Sequence, residues 1–302
     1  MTRYGGGATV TARAPGRVVL IGDHTDYTGG LVLPMAIDRR TTLEWDSLDN
    51  PAGAPELTSD DTSDPRWLRY PEAVADEMRD AGLTVRNIRG HVTTTIPVGA
   101  GLSSSAALEI ACAIAFGFEG NPTDLAMLTR RAEHRATGVP TGIMDQLCIA
   151  SAREGHATLI DCRTLGVTHV PVPDDVSFVV RFVAHRTLAD IARIPDATVR
   201  ARARHVVSEN ARVTAFAGAM RAGDWKGAGG LMIESHRSLD ADYAVSTPAM
   251  NAAVDELLAV PGVLGARMTG GGFGGCVVAM CTPGAHVPGW LVNPSAGPAV
   301  SN

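Results

Sequence analysis

The chain has no apolar run long enough to span a bilayer. Its start, MTRYGGGATV, lacks the apolar core of a secretory signal. It has five cysteines, Cys112, Cys148, Cys162, Cys276 and Cys281, with no Cys-x-x-Cys pair, and an odd number closes no complete disulfide set. These absences predict a cytoplasmic protein with reduced, mostly buried thiols and no membrane partner. An excess of positive charge is also missing. The formal net charge is −6, which argues against a general nucleic-acid surface while leaving local phosphate contacts open. No fixed-period repeat or low-complexity tract occurs. What remains is 302 residues, 45% hydrophobic and 19% charged, which suits a globular protein of one large or two modest domains.

The stretch at 97–107, PVGAGLSSSAA, lies between a strand-like run (88–95) and a helix-like run (106–118). Gly99 and Gly101 allow tight turns and close backbone approach. A helix start leaves N–H groups unpaired and carries partial positive charge, so a glycine turn there can cradle an anion such as phosphate. The serines add hydroxyls for phosphate or Mg²⁺. The Gly-Lys-Ser/Thr ending of a Walker loop is absent. On these residues alone, an ordinary strand–turn–helix corner is an equal alternative.

Upstream, strands are predicted at 9–13, 18–21 and 31–37, and the loop at 22–30 holds Asp23, His24, Thr25, Asp26 and Tyr27, with Arg17 just before it. Polar groups beside buried strands must be paired or face a ligand, although an Asx-rich turn would satisfy them too. The segment at 47–65 reads as a solvent loop. Helices are predicted at 67–81, with Leu68, Ala73, Val74 and Met78 inward, and at 122–136, with Asn121 as cap and Glu133 near the end. Asp145 lies in an otherwise apolar stretch, GVPTGIMDQLCIA, and needs either a structural partner or a chemical role; a nearby arginine would keep it ionised. A strand follows at 157–161, and another at 176–183. Helices then cover most of 189–217, 225–239 and 248–260, the first carrying Arg193, Arg200, Arg202, Arg204 and Arg212 as a solvated face. The glycine-rich GARMTGGGFGGCVVAM at 265–280 is either a hairpin turn or a close contact, with the first glycine loop a candidate neighbour.

Three motifs in order and spacing, GRVVLIGDHTDYTGGLVLPMAI, PVGAGLSSSAA and MTGGGFGGC, resemble the GHMP small-molecule kinases, and most closely their galactokinase-like sugar 1-kinases. GIMDQ and LIDCRTL are similar to the same group, and the resemblance covers nearly the whole chain. It implies an α+β, two-domain fold (1–172 and 173–302) with the active site in the interdomain cleft. ATP and Mg²⁺ are the implied cofactors and a sugar the implied partner. By matching position, Asp145 would act on the anomeric hydroxyl as base or orienting charge, with Arg17 beside it. His24, Asp26 and the backbone of Gly142 would bind other hydroxyls, and Asp23 the far end of the sugar. Gly99, Ala100, Gly101, Leu102, Ser103, Ser104 and Ser105 would hold the ATP phosphates; Ser105 and Glu133 would ligate Mg²⁺.

The chain departs from that pattern in three places. Asp23 stands where the family has glutamate. The region HRTLADIARIPDATVRAR lacks the family's sugar-contacting tyrosine. The helix that usually follows the strand at 276–281 is missing before WLVNPSAGPA. The first two fall on the sugar pocket and predict a larger or modified aldose, such as an octose, in a specialised pathway. The alternatives are a true galactokinase and a non-catalytic sugar/ATP sensor.

Overall fold

The stretch VTARAPGRVVLI, wholly apolar over its last four residues, folds as one long strand that is buried along nearly its whole length, β1 (Val10–Ile21). In this computed structural model, which describes residues 10–48, 54–60, 65–184 and 199–301, the two short strands expected at 9–13 and 18–21 are therefore continuous. Register shifts at Pro15/Arg17 and Val19/Ile21 break the pairing of β1 with its antiparallel partner β2 (Leu31–Ser47). Such irregularities re-aim a side chain, and here the first falls at Arg17.

β1 and β2 are the centre of a seven-stranded sheet. β3 (Glu56–Ser59) runs parallel to β4 (Ile88–Thr94), which pairs with β2. The expected solvent loop at 47–65 is corrected here: Glu56–Ser59 alternates exposed and half-buried residues, with Leu57 and Ser59 inward, and forms an edge strand. β5 (His156–Asp161) and β6 (Gly166–Pro171) form a hairpin joined to the start of β2. Four helices belong with this sheet: α1 (Arg69–Asp80), α2 (Ser104–Ala115), α3 (Pro122–Thr137) and α4 (Met144–Ala150). α3 starts as expected, with Asn121 accepting the Asp124 N–H at 2.9 Å and proline in the first turn. α1 buries Ala73, Val74 and Met78, but Leu68 lies in the preceding 3₁₀ turn and is exposed.

The second sheet has the order β10–β7–β9–β8, with β7 (Ser177–Ala184), β8 (Val263–Thr269), β9 (Gly275–Cys281) and β10 (Trp290–Val292). β9 is buried throughout, as its wholly apolar run requires. Helices α5 (Val199–Ala222), α6 (Trp225–Ala241) and α7 (Pro248–Leu258) pack around it; α6 lies against β8, and α5 reaches back to β2. The last strand, β11 (Ala299–Ser301), returns to the first sheet and pairs with β1. No helix separates β9 from β10, in keeping with the shortened C-terminal region.

The arginines of α5 are not simply a solvated face. Arg202 lies over the Tyr243 ring and donates to the Asp242 carbonyl, Arg204 pairs with Asp242, and Arg212 pairs with buried Glu209. Arg193 and the region lacking the family tyrosine fall largely at 185–198, outside the described residues. All five cysteines are free, four of them buried. Among the described residues no helix is long and apolar enough to cross a membrane.

Candidate active site

The bulge at Pro15/Arg17 turns Arg17 toward the start of α2, where its backbone N–H donates to the Leu102 carbonyl at 3.1 Å. Its guanidinium is buried and makes a two-pronged contact with Asp145: Nε to Oδ1 at 2.7 Å and Nη2 to Oδ2 at 2.6 Å. The remaining nitrogen, Nη1, donates to the Gly101 carbonyl at 2.6 Å. Burial disfavours the Arg17 charge, yet the Asp145 carboxylate outweighs it and raises the Arg17 pKa. Asp145 keeps about a quarter of its side chain open to the cavity, at 27% exposure.

Ser103 has φ 58° and is the N-cap of α2, but its hydroxyl does not cap the helix. It donates instead to Asp145 Oδ2 at 2.5 Å. A serine in the left-handed region is strained by about 1–3 kcal/mol, a cost that the surrounding contacts must hold in place. The first N–H groups of α2 are left for an incoming anion. Gly99 and Gly101 both take positive φ, as the turn demands. Val98, Gly99, Gly101, Ser103, Ser104 and Ser105 line the cavity. The side chains of Ala100 and Leu102 do not: both are buried in the core, which leaves only their backbone groups for a phosphate. The glycine-rich turn between β8 and β9 closes on this loop as anticipated; a Cβ on Gly275 would sit 3.1 Å from the Ala100 carbonyl oxygen.

Ser105 and Glu133 meet at the same end of the cavity, Ser105 Oγ donating to Glu133 Oε1 at 2.9 Å. The other carboxylate oxygen accepts from Gln146 Nε2 at 2.7 Å and Thr141 Oγ1 at 3.2 Å. Among the described residues no cluster of three or more His, Cys, Asp or Glu could hold a metal. One hydroxyl and one carboxylate nevertheless suit Mg²⁺, which commonly takes one or two protein ligands and completes its shell with phosphate and water.

The 22–30 loop supplies the opposite end. Asp26 packs so closely on Gly142 that a Cβ there would lie 1.6 Å from its Oδ2. Burial raises the Asp26 pKa to about 6, with Asp145 adding to the shift, while the backbone N–H groups of Tyr27 and Met144 oppose it. His24, at φ 66°, stacks on the Tyr243 ring at 4.6 Å, and its Nδ1 lies 3.0 Å from the Tyr27 hydroxyl. Tyr27 and Tyr243 are hydrogen-bonded through their hydroxyls. Asp23 lines the cavity but is 1% exposed. Its carboxylate accepts the Gly270 N–H at 2.9 Å and pairs with fully buried Arg267 at 2.7 Å. Asp23 is thus tied into the cavity wall.

Arg17, Asp145, the serines 103–105, Glu133, Asp26 and His24 share one cavity of about 680 Å³, within the usual range for a small-molecule site. Its far wall is Trp67, Tyr70, Val92, Thr94 and Leu108, with Ser59 at the rim. The sequence reading missed this wall. Trp67 and Tyr70 were visible only as the first turns of a helix, and Ser59 lay in the supposed solvent loop. Arg267, Gln146 and Tyr243 were missed as well; a buried arginine between apolar strand residues was the one available signal. Arg17 is the one arginine or lysine among the described residues that line the cavity.

Comparison with known proteins decides the family. Residues 1–45 match the galactokinase galactose-binding signature, 69–153 the GHMP kinases N terminal domain, and 216–288 the GHMP kinases C terminal domain. A galactokinase of Bos taurus is 36% identical over 93% of this chain and 86% of its own length. The chain belongs to the galactokinase family of GHMP kinases. A Chloroflexus aggregans galactokinase is 37% identical, over 92% of this chain and 85% of its own. The solved structure of Lactococcus lactis galactokinase complexed with galactose superposes with a TM-score of 0.86 at 26% identity, covering 96% of this chain and 95% of that one. As a family member the protein is an ATP-dependent sugar kinase with the mixed α/β fold of GHMP kinases. Nothing in these relatives supports an octose or other enlarged aldose as substrate.

Proposed function

We propose that this kinase transfers the γ-phosphoryl group of ATP to the anomeric hydroxyl of galactose. The observation that carries the reading is the Arg17–Asp145 pair, held at 2.6–2.7 Å and tied through Gly101 to the serine turn. One arginine thus joins the group that would meet the sugar to the loop that would hold the nucleotide. The matched galactose-binding signature and relatives at 36–37% identity support galactose as the substrate.

Phosphoryl transfer passes through a loose transition state and needs in-line placement and charge balance more than a strong base. Asp145 accepts the anomeric O–H, orients its oxygen toward phosphorus and takes the proton as the new O–P bond forms and the bond from the γ-phosphorus to the β–γ bridging oxygen breaks, its electron pair leaving on ADP. Arg17 and Ser103 restrict Asp145 to one position. Arg17 also stabilises negative charge on the transferring group. The free N–H groups at the start of α2 and the hydroxyls of Ser104 and Ser105 hold phosphate oxygens. Trp67 and Tyr70 present flat apolar faces on which an adenine ring would stack. Ser105 and Glu133 would hold Mg²⁺, which when bound supplies positive charge to the phosphates. Asp26, His24 and the Gly142 backbone bind the remaining sugar hydroxyls, and a site built to bond a hydroxyl rejects sugars lacking it.

The test is turnover of ATP by the purified protein with galactose, glucose, and seven- and eight-carbon aldoses, with the product identified by ³¹P and ¹³C NMR. Galactose 1-phosphate as the preferred product supports the reading. Preference for a longer aldose, or phosphate on another oxygen, overturns it.

A further inference from the structure

Gln146 directly follows Asp145 on α4 and is fully buried. Its amide nitrogen donates to Glu133 Oε2 at 2.7 Å and reaches Glu109 Oε2 at 3.4 Å. Its amide oxygen has no hydrogen-bond partner among the described residues, and neither has Glu109 Oε1. The amide is held in this orientation by Glu133, because turning it would place its oxygen 2.7 Å from a carboxylate oxygen. A buried acceptor without a partner is costly, and a leucine of similar volume would avoid that cost. The side chain therefore earns its place through its donor.

That donor acts on Glu133, whose carboxylate is gripped by Ser105 on one oxygen and by Thr141 and Gln146 on the other. Ser105 and Glu109 are four residues apart and so lie on one face of α2. α2 thus presents the hydroxyl beside Glu133 and, one turn on, the carboxyl behind Gln146. α4 presents Asp145 and Gln146 in succession. The Gln146 amide ties the two helices together at the point where Glu133 arrives from α3.

Resting on the reading of Ser105 and Glu133 as the Mg²⁺ pair, we propose that Gln146 is a positioning residue that fixes Glu133 relative to Asp145. It thereby sets the place of metal-bound phosphate against that of the sugar hydroxyl. With its side chain fully buried, Gln146 would act through Glu133. Groups behind a metal ligand commonly change metal affinity by about 10–100-fold when removed.

The experiment compares wild type with Gln146→Leu and, should that variant fold poorly, Gln146→Asn, whose shorter reach withdraws the same donor. Binding of Mn²⁺·ADP is followed by the electron paramagnetic resonance of Mn²⁺, alongside binding of metal-free ADP, the Mg²⁺ concentration for half-maximal turnover, and KM for galactose. Folding is checked by circular dichroism. The expected result is Mn²⁺·ADP binding weakened about tenfold and a matching rise in the Mg²⁺ requirement. Metal-free ADP binding and KM for galactose stay within about twofold. Unchanged Mn²⁺·ADP binding in a folded variant overturns the proposal, as does equal loss of metal-free ADP and galactose binding. If wild type itself binds Mn²⁺·ADP no better than ADP, the metal reading of Ser105 and Glu133 fails, and the proposal with it.

Discussion

The substitution Gly142→Ala tests the sugar end of the site with a single methyl group. Gly142 has no left-handed φ, so alanine meets no backbone penalty there and the effect is one of space. The new Cβ would lie 1.6 Å from Asp26 Oδ2 and 2.1 Å from its Cγ. Ordinary carbon contacts begin near 3.5 Å, so the carboxylate must retreat by about 2 Å. The 3₁₀ turn Asp26–Thr28 is closed by Gly29 N–H on the Asp26 carbonyl, so the side chain rather than the backbone yields. A retreat of that size breaks whatever hydrogen bond Asp26 offers a sugar hydroxyl. A hydrogen bond to a charged group contributes about 1.5–3 kcal/mol. At about 1.4 kcal/mol per factor of ten, KM for galactose should rise about 10- to 150-fold. KM for ATP should change less than about twofold, because the serine turn and the Trp67 wall are untouched. The assay is initial-rate kinetics with each substrate varied in turn, alongside a thermal melt. A KM for galactose within twofold of wild type, in a folded variant, would refute the assignment of Asp26 to the sugar.

Three further outcomes are expected. Asp145→Asn should lower kcat by at least about a thousandfold while equilibrium dialysis still finds nucleotide binding, since asparagine keeps the size but loses the proton acceptor. Because Asp26 titrates at about 6 in the folded protein against 3.8 unfolded, the native state holds more protons between those values. Its contribution to stability is therefore complete below pH 3.8 and is lost as pH rises through 6; KM for the sugar should rise below pH 6, where Asp26 stops accepting, and Asp26→Asn should flatten both trends. Arg267→Met should destabilise the protein by about 3–5 kcal/mol in urea melts, because Asp23 would be left buried without its partner.

The parts of the site that were legible in the sequence were those whose chemistry is written in one short segment. The glycine–serine turn, the cap at Asn121 and the misplaced acid at 145 each announced themselves by residue type against local pattern. Asp145 called for an arginine, and Arg17 is that arginine, although 128 positions separate them. What stayed hidden depended on pairing between distant segments. β3 was read as solvent loop because its place beside β4 is a parallel, non-local contact. The pairing of Asp23 was hidden too, since nothing near it in sequence reveals that Arg267 waits 244 residues on. Ala100 and Leu102 belong to the right loop, but only the folded backbone decides which side chains turn inward. The substrate was over-read: one shorter acid and one absent tyrosine carried less weight than the match across the whole chain.

On the proposed function, the three-way grip of Arg17 on Asp145, Gly101 and, through its own N–H, Leu102 holds the transfer geometry apart from the 22–30 loop that would recognise the sugar. Changes at Asp26 or around His24 can alter which acceptor is welcomed without moving the reacting partners apart. New acceptor preferences are therefore reachable by small steps on one side of the cleft, each variant inheriting a working phosphotransfer apparatus.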